Sequence, residues 1–451
     1  GGSSVDAAIA INLCDGIHNA QSMGIGGGSL MIVYDVNGTK KILMAFDSRE
    51  TAPSAATWDM LLSDDTPAGL LIGTPGDLAG AYEAWRIFGR IPWAKLFQPA
   101  IDLCKNGYRV SETLADRINS SLGDKMHPSL HSIFRNPDGS LPQAGDTLYR
   151  PELGKTLEAV ADKGPDSFYK GELAGTIVSE IQQIGGLITK QDLQDYQVRI
   201  SLPMEHALPG KRRLIFPRLP SGGAVMTFIL NVILASNVTK ESLRSADGYH
   251  VLAEIYKFAF AERLKLGDEN FTNTTQAISD LLSTEYAKII SKKLDHKQTH
   301  DAEFYGAYDA ITEDHGTAQY SVVAPNGGAT SMTSTINRSF GCKRRGRKTG
   351  IIYNDEMADF GVPGDDSLVT EDLPNVIAPG KRPLSSMSPS IVLNERGDVE
   401  LVLGTAGGTK ITTVNAFVAA EYLLFGKTLP EAMDVPRVHH QLFPNKLMYE
   451  S

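Results

Sequence analysis

The sequence has few cysteines, no long apolar stretch and fewer basic than acidic side chains, and each shortage excludes a class of protein. Its three cysteines, Cys14, Cys104 and Cys342, are odd in number and far apart in 451 residues, so neither a disulfide framework nor a zinc site is predicted. No run of about 18 apolar residues occurs, which argues against a transmembrane helix. With 43 basic against 53 acidic side chains, nucleic acid and anionic membranes are not expected as main partners.

The overall composition, with 42% apolar and 21% charged residues, is typical of a soluble globular protein. The first residues, GGSSVDAAIA, have neither a charged leader nor a cleavage-site pattern, so we expect any targeting segment to be absent from this chain. Acceptor triplets for N-glycosylation favour an extracellular location, as a secreted protein or as the ectodomain of a membrane-anchored one. They begin at Asn37, Asn119, Asn237, Asn270 and Asn273.

Apolar periodicity predicts helices in the first part of the chain and mostly strands after residue 317. Helices are expected over 4–19, twice within 74–110, through most of 111–200, from about 220 to 235 and within 245–300. Strands are expected over 30–34 and 41–46, joined by an Asn-Gly turn, and over 214–216, 319–324, 329–336, 390–393 and 399–403, before a helix over 412–425. This order predicts sheets covered by helices, and no linker divides the chain.

Three local patterns resemble binding sites but have a simpler interpretation. The glycine-rich run at 24–28 precedes a strand and lacks the P-loop lysine, so close backbone packing is favoured over nucleotide binding. His250, Glu254 and Lys257 lie near one face of a predicted helix, but one His and one Glu are too few ligands for a metal ion, and an exposed helix face is favoured. Arg49 is either a surface ion-pair partner, which is favoured, or a fork for a substrate carboxylate.

The dipeptide Gly316-Thr317 stands directly before an alternating, strand-like run. A threonine hydroxyl needs a neighbouring base, and the α-amine of an N-terminal threonine, with a pKa of about 7.7–8.0, can supply one. Inside a chain that amine exists only after the preceding peptide bond has been broken. Glycine suits this step because its carbonyl is open to attack by the adjacent hydroxyl. An N-to-O acyl shift followed by hydrolysis would yield two chains, 1–316 and 317–451.

Four further motifs offer the groups that such a threonine would need. They are a predicted strand with Thr333, Thr335 and Asn337 on one face, an acid pair at Glu356 and Asp359, a serine pair at Ser385 and Ser386, and a glycine pair at Gly407 and Gly408. The acid pair can hold an ammonium group, and the glycine N–H groups can form an oxyanion hole. Each motif also has a purely structural explanation: a solvated helix face for the acids, a turn for the serines and a helix-entry loop for the glycines.

Taken together, the motifs resemble those of the γ-glutamyltranspeptidases, or glutathione hydrolases. The resemblance rests on Asp314-His-Gly-Thr317, Thr333-Ser-Thr-Ile-Asn337, Asn354-Asp-Glu-Met-Ala-Asp-Phe360, Pro383-Leu-Ser-Ser-Met387 and Ala406-Gly-Gly-Thr409, with Ser48-Arg-Glu-Thr-Ala-Pro53 and Thr74-Pro-Gly76 among the matches in the first half. It covers essentially the whole chain. It implies an α/β (α+β) fold, a four-layer αββα sandwich of N-terminal-nucleophile hydrolase type in one composite domain. Residues 1–316 would form the large-subunit region and 317–451 a small-subunit region that is incomplete at its C-terminal end.

The resemblance also implies a role for each matching residue. The nucleophile would be Thr317, positioned by Thr335, with Gly407 and Gly408 as the oxyanion hole. Donor contacts would come from Asn337, from Arg49 with Ser385 and Ser386 on the α-carboxylate, and from Glu356 and Asp359 on the α-ammonium. Glutathione and related γ-glutamyl compounds are the implied donors, and water, amino acids or dipeptides the acceptors. No metal, cofactor or nucleic acid is implied.

Other features qualify this hypothesis. The segment 339–349 is more basic than the family's usual loop, which motivates an alternative: a secreted, catalytically weakened paralogue that binds γ-glutamyl compounds or a protein partner. A related amidase or acylase is a third hypothesis, disfavoured by the presence of Arg49 with the acid pair. The resemblance pairs Cys14 with a cysteine upstream of residue 1. A sixth triplet, at Asn337, is expected to be unmodified, and the residues at 361–372 suit a mobile lid.

Overall fold

The computed structural model describes residues 1–63, 65–236, 238–307, 316–361 and 373–450. Its helices are α1 (Ser4–His18), α2 (Asp77–Phe88), α3 (Trp93–Asn106), α4 (Glu112–Arg117), α5 (Pro128–Phe134), α6 (Pro151–Lys163), α7 (Asp166–Tyr169), α8 (Glu172–Gln182), α9 (Lys190–Asp195), α10 (Gly223–Ala235), α11 (Ala246–Arg263), α12 (Thr275–Leu282), α13 (Thr284–Ser291), α14 (Ala302–Tyr305), α15 (Lys410–Leu423) and α16 (Leu429–Asp434). No helix in these ranges is long and apolar enough to cross a membrane.

The strands form two larger sheets and two short pairs. They are β1 (Gly28–Asn37), β2 (Lys40–Ser48), β3 (Tyr108–Arg109), β4 (Thr147–Leu148), β5 (Arg199–Ser201), β6 (Met204–Leu208), β7 (Arg212–Phe216), β8 (Ala318–Val323), β9 (Ala329–Thr335), β10 (Ser390–Leu393), β11 (Val399–Leu403), β12 (Val438–His439) and β13 (Met448–Tyr449). The first sheet has the order β5-β2-β1-β9-β8, and the second the order β11-β10-β7-β6.

The central pairing of the first sheet joins the early and late parts of the chain. Strand β1 is antiparallel to β9, with Gly28 opposite Thr335 and Leu30 opposite Thr333. Strand β8 pairs with the other edge of β9, and Ala318 lies opposite Ser334. Thr317 is therefore brought to the same end of the sheet as Thr335.

Side-chain alternation gives this sheet two different faces. On one face, Ile32 of β1 and Ala45 of β2 share a buried cluster with Ile215, Ile391 and Leu393 of the second sheet. The odd-numbered residues of β9 lie on this face, because Ser331 is opposite Ile32. On the other face, buried residues such as Met31, Phe46 and Met332 pack with α1, α2, α3 and α6.

A separate apolar cluster covers the far face of the second sheet. It joins Leu214 of β7 and Val392 of β10 to α10, α11 and α15. Every residue of α10 from Gly223 to Ile233 is buried, as expected for a helix that is apolar on all sides. Burial of this kind is the main favourable contribution to folding.

Most of the predicted elements are confirmed. The helix at the start of the chain forms as α1, where Ser3 caps the helix and accepts a hydrogen bond from the N–H of Asp6 at 3.1 Å. The hairpin, the strand at 214–216 and the strands that follow residue 317 are also present. Strands β5 and β6 were not predicted. Strand β5 pairs with β2, which is distant in sequence, and β6 pairs with β7 through a tight turn.

The prediction that His250, Glu254 and Lys257 lie on an exposed helix face is wrong. Glu254 and Lys257 are buried in α11, where their side chains form an ion pair of 2.9 Å. The hydroxyl of Tyr305 donates to the second oxygen of Glu254 at 2.6 Å. These polar side chains therefore form a buried, mutually satisfied network rather than a solvated surface.

The glycine run before β1 is needed because other backbone segments lie against it. A methyl group on Gly27 would collide with the carbonyl oxygen of Thr335, and one on Gly26 with the carbonyl oxygen of Ile352. The expectation of close backbone packing is thus supported by the structure. The run brings the backbone of the first half within contact of the strand that carries Thr335.

Replacing Gly27 by alanine is expected to lower the free energy of unfolding by at least about 2 kcal/mol, since backbone must move to admit the methyl group. Gly175→Ala in α8 is the matched control, because only the flexible end of Lys190 lies near, at 3.2 Å. The control is expected to be neutral or to stabilise by up to about 1 kcal/mol. Chemical denaturation measures both, and equal stability of the two variants would contradict the close approach.

Candidate active site

Two threonine hydroxyls converge on the carbonyl oxygen of Gly316. The Oγ1 of Thr335 donates to it at 2.6 Å, and the Oγ1 of Thr317 donates to the same oxygen. The two hydroxyl oxygens are 3.4 Å apart. Both threonines are buried, so these hydrogen bonds are shielded from water. The carbonyl of the predicted cleavage site is therefore already held by the residue predicted to attack it and by the residue predicted to position that attack.

Gly316 lies too close to the turn after β9 to carry a side chain. A methyl group on it would collide with the carbonyl oxygen of Asn337 and lie 3.3 Å from the carbonyl carbon of Arg338. The tight approach explains why glycine stands before Thr317, in addition to the accessibility of its carbonyl. Residues 308–315, which include Asp314 and His315 of the motif, lie outside the described residues.

Asn337 occupies the turn where β9 ends. Its φ of 69° is in the left-handed region that asparagine tolerates better than most residues. Its N–H donates to Oγ1 of Thr335 at 2.9 Å, and its amide nitrogen donates to the carbonyl of Asp355 at 3.0 Å. The amide oxygen is buried without a hydrogen-bond partner among the described residues. Its burial agrees with the expectation that this triplet is not glycosylated.

Arg49 is fully buried, so the favoured interpretation as a surface ion-pair residue is wrong. One of its terminal nitrogens is paired with Glu356 and the other with Asp359. Its guanidinium also donates to the carbonyls of Pro383 at 3.3 Å and Leu384 at 3.0 Å. The predicted carboxylate clamp and the predicted ammonium clamp are thus one ion-pair cluster in this structure, rather than two separate clamps.

The serine pair follows the two carbonyls that Arg49 contacts. The Oγ of Ser385 accepts from the N–H of Met387 at 3.1 Å, while the Oγ of Ser386 is buried without a partner among the described residues. Met387 packs in a small cluster with Leu30 of β1 and Ile411 of α15. Because Leu30 is paired with Thr333, this contact places the serine segment near the threonine end of the first sheet.

The glycine pair lies at the entry to α15. Gly407 and Gly408 have φ values of 126° and 64°, in the region that favours glycine. The N–H of Ile411, the residue that packs on Leu30, donates to the carbonyl of Gly408 at 3.0 Å. Neither glycine N–H donates to another group in the described part of the chain. Within the described ranges, these two donors are therefore unpaired, at the same end of the sheet as Leu30.

Three of these motifs contain a buried polar atom without a hydrogen-bond partner. In the described ranges, the amide oxygen of Asn337, one carboxylate oxygen of Glu356 and the hydroxyl of Ser386 are buried without hydrogen bonds. Leaving such groups unpaired costs free energy, so a bound ligand that pairs with them gains affinity. Two acceptors and a hydroxyl beside a guanidinium suit a molecule with both an ammonium and a carboxylate group.

Sequence reasoning missed three buried residues of this cluster. Asn354 donates to the carbonyls of Gly26 and Gly73 and accepts from the N–H of Glu356, so it joins the glycine run to the acid pair. Asp355 accepts from the N–H of Arg338 at 3.0 Å, and burial raises the pKa of its carboxyl to about 7. Both lie within the motif that carries Glu356, and that position is the signal that could have identified them.

Glu50, the third missed residue, follows Arg49 directly. It is completely buried, 3.8 Å from the guanidinium, and both its carboxylate oxygens have no hydrogen-bond partner in the described residues. Burial raises the pKa of this carboxyl to about 8, against the lowering effect of Arg49. This raised pKa favours the uncharged form of Glu50, which lessens the negative charge around Arg49.

The basic segment after Arg338 is anchored to the rest of the fold by buried and backbone contacts. Arg345 is buried, forms an ion pair of 3.0 Å with Glu152 and donates to the carbonyl of Ser129 at 2.9 Å. Glu180 accepts from the N–H of Lys348 at 2.6 Å. These contacts anchor the segment to α6, α8 and the start of α5. The remaining cations of the segment are at its surface or partly buried.

The whole chain is similar to one family of known proteins. The sequence profile described as gamma-glutamyltranspeptidase matches residues 1–451. Scoloptoxin SSD14 of Scolopendra dehaani is 40% identical over 461 aligned positions, covering 100% of this chain and 79% of that protein. Glutathione hydrolase 2 of Arabidopsis thaliana is 39% identical, covering 100% and 78%. The glutathione hydrolase proenzyme of Escherichia coli strain K12 is 36% identical, covering 100% and 79%.

Solved structures agree with the mixed α/β architecture. A γ-glutamyltranspeptidase from Pseudomonas nitroreducens is similar with a TM-score of 0.59 and 31% identity, over 67% of this chain and 90% of that chain. A cephalosporin acylase from Bacillus halodurans superposes with a TM-score of 0.81 over 97% of this chain and 79% of that chain. Its 24% identity supports a common fold alone.

The raised pKa of Glu50 predicts a pH dependence of stability. A carboxyl group whose pKa rises from 4.5 to about 8 on folding stabilises the protein most below pH 4.5, and this contribution is lost as the pH rises through 8. Relative to Glu50→Gln, which does not titrate, the wild type should lose on the order of 2 kcal/mol between pH 6 and pH 9.

Denaturation at several pH values tests this, with the exposed Glu395→Gln as control. The control and the wild type should show the same pH dependence. Parallel curves for Glu50→Gln and the wild type would show that Glu50 is ionised in the folded protein.

Proposed function

Because the chain belongs to the γ-glutamyltranspeptidase family, we propose that it cleaves itself before Thr317 and then acts as a γ-glutamyltransferase and glutathione hydrolase. The observation that supports this most strongly is the carbonyl of Gly316, which accepts hydrogen bonds from both Thr317 and Thr335. A peptide held in this way has its nucleophile and its oxyanion donor in place before any substrate is present.

Self-cleavage proceeds by an N-to-O acyl shift. The Oγ1 of Thr317 forms a bond to the carbonyl carbon of Gly316, the C–N bond between the two residues breaks, and the hydroxyl proton passes to the departing nitrogen. The hydroxyl of Thr335 stabilises the negative charge on the carbonyl oxygen during the shift. Water then hydrolyses the ester, leaving a carboxylate on Gly316 and a free hydroxyl and α-amine on Thr317.

The products are a large-subunit region, 1–316, and a small-subunit region, 317–451, which stay together as one composite αββα domain. The clusters of buried residues support this layering, because one joins the two sheets and the two others join each sheet to its own helices. The β1–β9 pairing crosses between the two regions, so cleavage leaves the sheet intact.

In the catalytic cycle, the new α-amine of Thr317 acts as the base for its own hydroxyl. The hydroxyl oxygen attacks the γ-carbonyl of the donor, the donor's amide bond breaks, and the departing amine takes up the proton. The N–H groups of Gly407 and Gly408 receive the developing oxyanion. Water or the amine of an amino acid or dipeptide then attacks the γ-glutamyl ester and restores Thr317.

Donor binding exchanges ion pairs that already exist. The donor's ammonium binds Glu356 and Asp359, with the amide oxygen of Asn337 as a further acceptor, and its carboxylate binds Arg49. The hydroxyls of Ser385 and Ser386 complete the carboxylate contacts. Since the zwitterion replaces each partner by one of the same sign, no charge is left buried and unpaired, which is the condition for a low cost of burial.

An extracellular location fits the surface of the protein. The asparagines of the acceptor triplets at Asn37, Asn119, Asn270 and Asn273 are exposed, whereas Asn337 is buried. Glycans at the exposed positions would not disturb the core. The protein would be secreted or would form the ectodomain of an anchored protein.

Intact mass spectrometry of the purified protein tests the cleavage. We expect two fragments, with the break between Gly316 and Thr317, and turnover of a γ-glutamyl anilide. Thr317→Ala removes the nucleophile and should give a single chain with no measurable turnover.

Thr335→Val keeps the shape of the side chain but removes its hydroxyl, and it should slow cleavage by a factor of roughly 100, as expected for one oxyanion donor. Thr335→Ser, which retains the hydroxyl, is the matched control and should cleave much faster than Thr335→Val. A wild-type chain that remains whole, or is cleaved without turnover, would contradict the proposed function; the second result would favour a binding paralogue.

A further inference from the structure

Two adjoining cavities lie along the end of the basic segment that follows Arg338. The smaller, of about 250 Å³, extends from the segment to His127 at the start of α5 and to α8. The larger, of about 650 Å³, lies between α6, the turn before α8 and the end of the segment. Thr176 and Lys348 line both cavities, so we describe the two together as the basic groove. The proposed reaction at Thr317 uses none of its residues.

The basic groove is cationic, although the whole chain has a net charge of −10. Four basic side chains line the larger cavity and three more line the smaller one, against three acidic side chains in all. In the described ranges, Lys170 is paired with Asp166 and Arg345 with Glu152. The basic side chains without an ion pair there are Lys155, Lys163, Arg344, Arg347 and Lys348. A concave surface with this charge attracts anions.

The one acidic side chain of the smaller cavity does not neutralise these cations. Glu180 accepts from the N–H of Lys348 at 2.6 Å, and from the hydroxyls of Thr349 at 2.6 Å and Tyr353 at 2.9 Å. All three of these donors are uncharged groups. The charged ends of Arg344, Arg347 and Lys348 are therefore left without an ion-pair partner among the described residues.

Backbone contacts hold the segment in shape without a ligand. The N–H of Gly346 donates to the carbonyl of Ile351 at 2.8 Å, and the N–H of Gly350 donates to the carbonyl of Gly346 at 2.9 Å. A methyl group on Gly346 would collide with the side chains of Glu180 and Thr349. Because the backbone is already ordered, an anion that binds the groove avoids most of the cost of ordering it.

The lining of the groove limits the kind of anion that it suits. None of the large apolar side chains that are exposed in the described residues lines it, so it lacks the apolar centre of a protein interface and the apolar face that enters a membrane. Tyr353 is only 1% exposed and offers no ring on which a nucleic-acid base could stack. The uncharged polar lining is instead rich in serine and threonine, which suits a hydrophilic chain.

We propose that the basic groove binds a sulfated polysaccharide. Arg344, Arg347 and Lys348 bind sulfate groups in the smaller cavity, and Lys155 and Lys163 bind those of the following sugars in the larger one. Short runs rich in lysine and arginine are typical of such patches, and guanidinium groups suit the oxygens of tetrahedral anions. The inference is independent of the proposed function, because it concerns a surface away from the reacting groups.

Heparin-affinity chromatography, and calorimetry with a heparin oligosaccharide, test the inference. The wild type should bind at physiological salt. Arg344→Gln/Arg347→Gln/Lys348→Gln should raise the Kd roughly 10-fold and make it less dependent on salt, since fewer ion pairs form and fewer counterions are released. Lys155→Gln/Lys163→Gln changes only exposed helix positions, should raise the Kd about 3-fold, and serves as the test if the first variant does not fold.

Lys292→Gln/Lys293→Gln/Lys297→Gln is the matched control. It removes three exposed lysines from another short basic run, outside the basic groove, and changes the net charge as much as the first variant does. It should keep the wild-type Kd, and thermal unfolding should show that the variants are folded. Equal loss of affinity in the control, or wild-type affinity in both folded groove variants, would overturn the inference.

The choice of anion is tested with two further ligands. Hyaluronan, which has carboxylates but no sulfates, should bind much more weakly than heparin, and phosphatidylserine vesicles should not bind. Binding to the vesicles but not to heparin would overturn the inference in favour of a membrane surface. A wild type that turns over a γ-glutamyl anilide but does not bind heparin contradicts this inference alone, and an uncleaved wild type that binds heparin contradicts the proposed function alone.

Discussion

The buried charge of Arg49 is the constraint on which the site depends. A guanidinium removed from water needs anionic partners. Glu356 and Asp359 supply them, and both belong to the part of the chain that follows the Gly316-Thr317 peptide bond, whereas Arg49 precedes it. The carbonyls of Pro383 and Leu384 complete its hydrogen bonds and bring the serine pair to the same place. Two segments distant in sequence are thus held around one side chain, and the β1–β9 pairing sets this cluster beside the two threonines.

This arrangement gives a physical reason for the specificity of the proposed reaction. A ligand with only a carboxylate would displace the acids from Arg49 and leave them unpaired, and a ligand with only an ammonium group would do the reverse. A zwitterionic head group satisfies both sides, and the unpaired atoms of Asn337, Glu356 and Ser386 offer it further hydrogen bonds. The raised pKa of Glu50 favours its uncharged form, which limits the negative charge that such a ligand meets.

The elements and the candidate nucleophile, Thr317, were predictable from the sequence, because alternation in β8 and β9 and the Gly-Thr dipeptide are local signals. The pairing of Arg49 with Glu356 was not, because the two residues are 307 positions apart and meet only when the sheet is complete. The error at Glu254 and Lys257 arose because their charged side chains are typical of a protein surface, whereas both are buried. Inside the protein they form an ion pair with each other, and Glu254 also accepts a hydrogen bond from Tyr305. The sequence motifs included Thr335 and Asn337, which the structure groups with Thr317, but they did not predict the hydrogen-bond partners of these residues.

Trapping the acyl-enzyme tests the central claim most directly. The cleaved protein is mixed with a γ-glutamyl donor and quenched in acid within one turnover. It is then digested, and the masses of its peptides are measured by mass spectrometry. We expect the peptide beginning Thr317-Ala-Gln-Tyr to gain the mass of one γ-glutamyl group, held as an ester that mild base removes. A γ-glutamyl group on any other residue, or turnover with this peptide unmodified at every quench time, would contradict it.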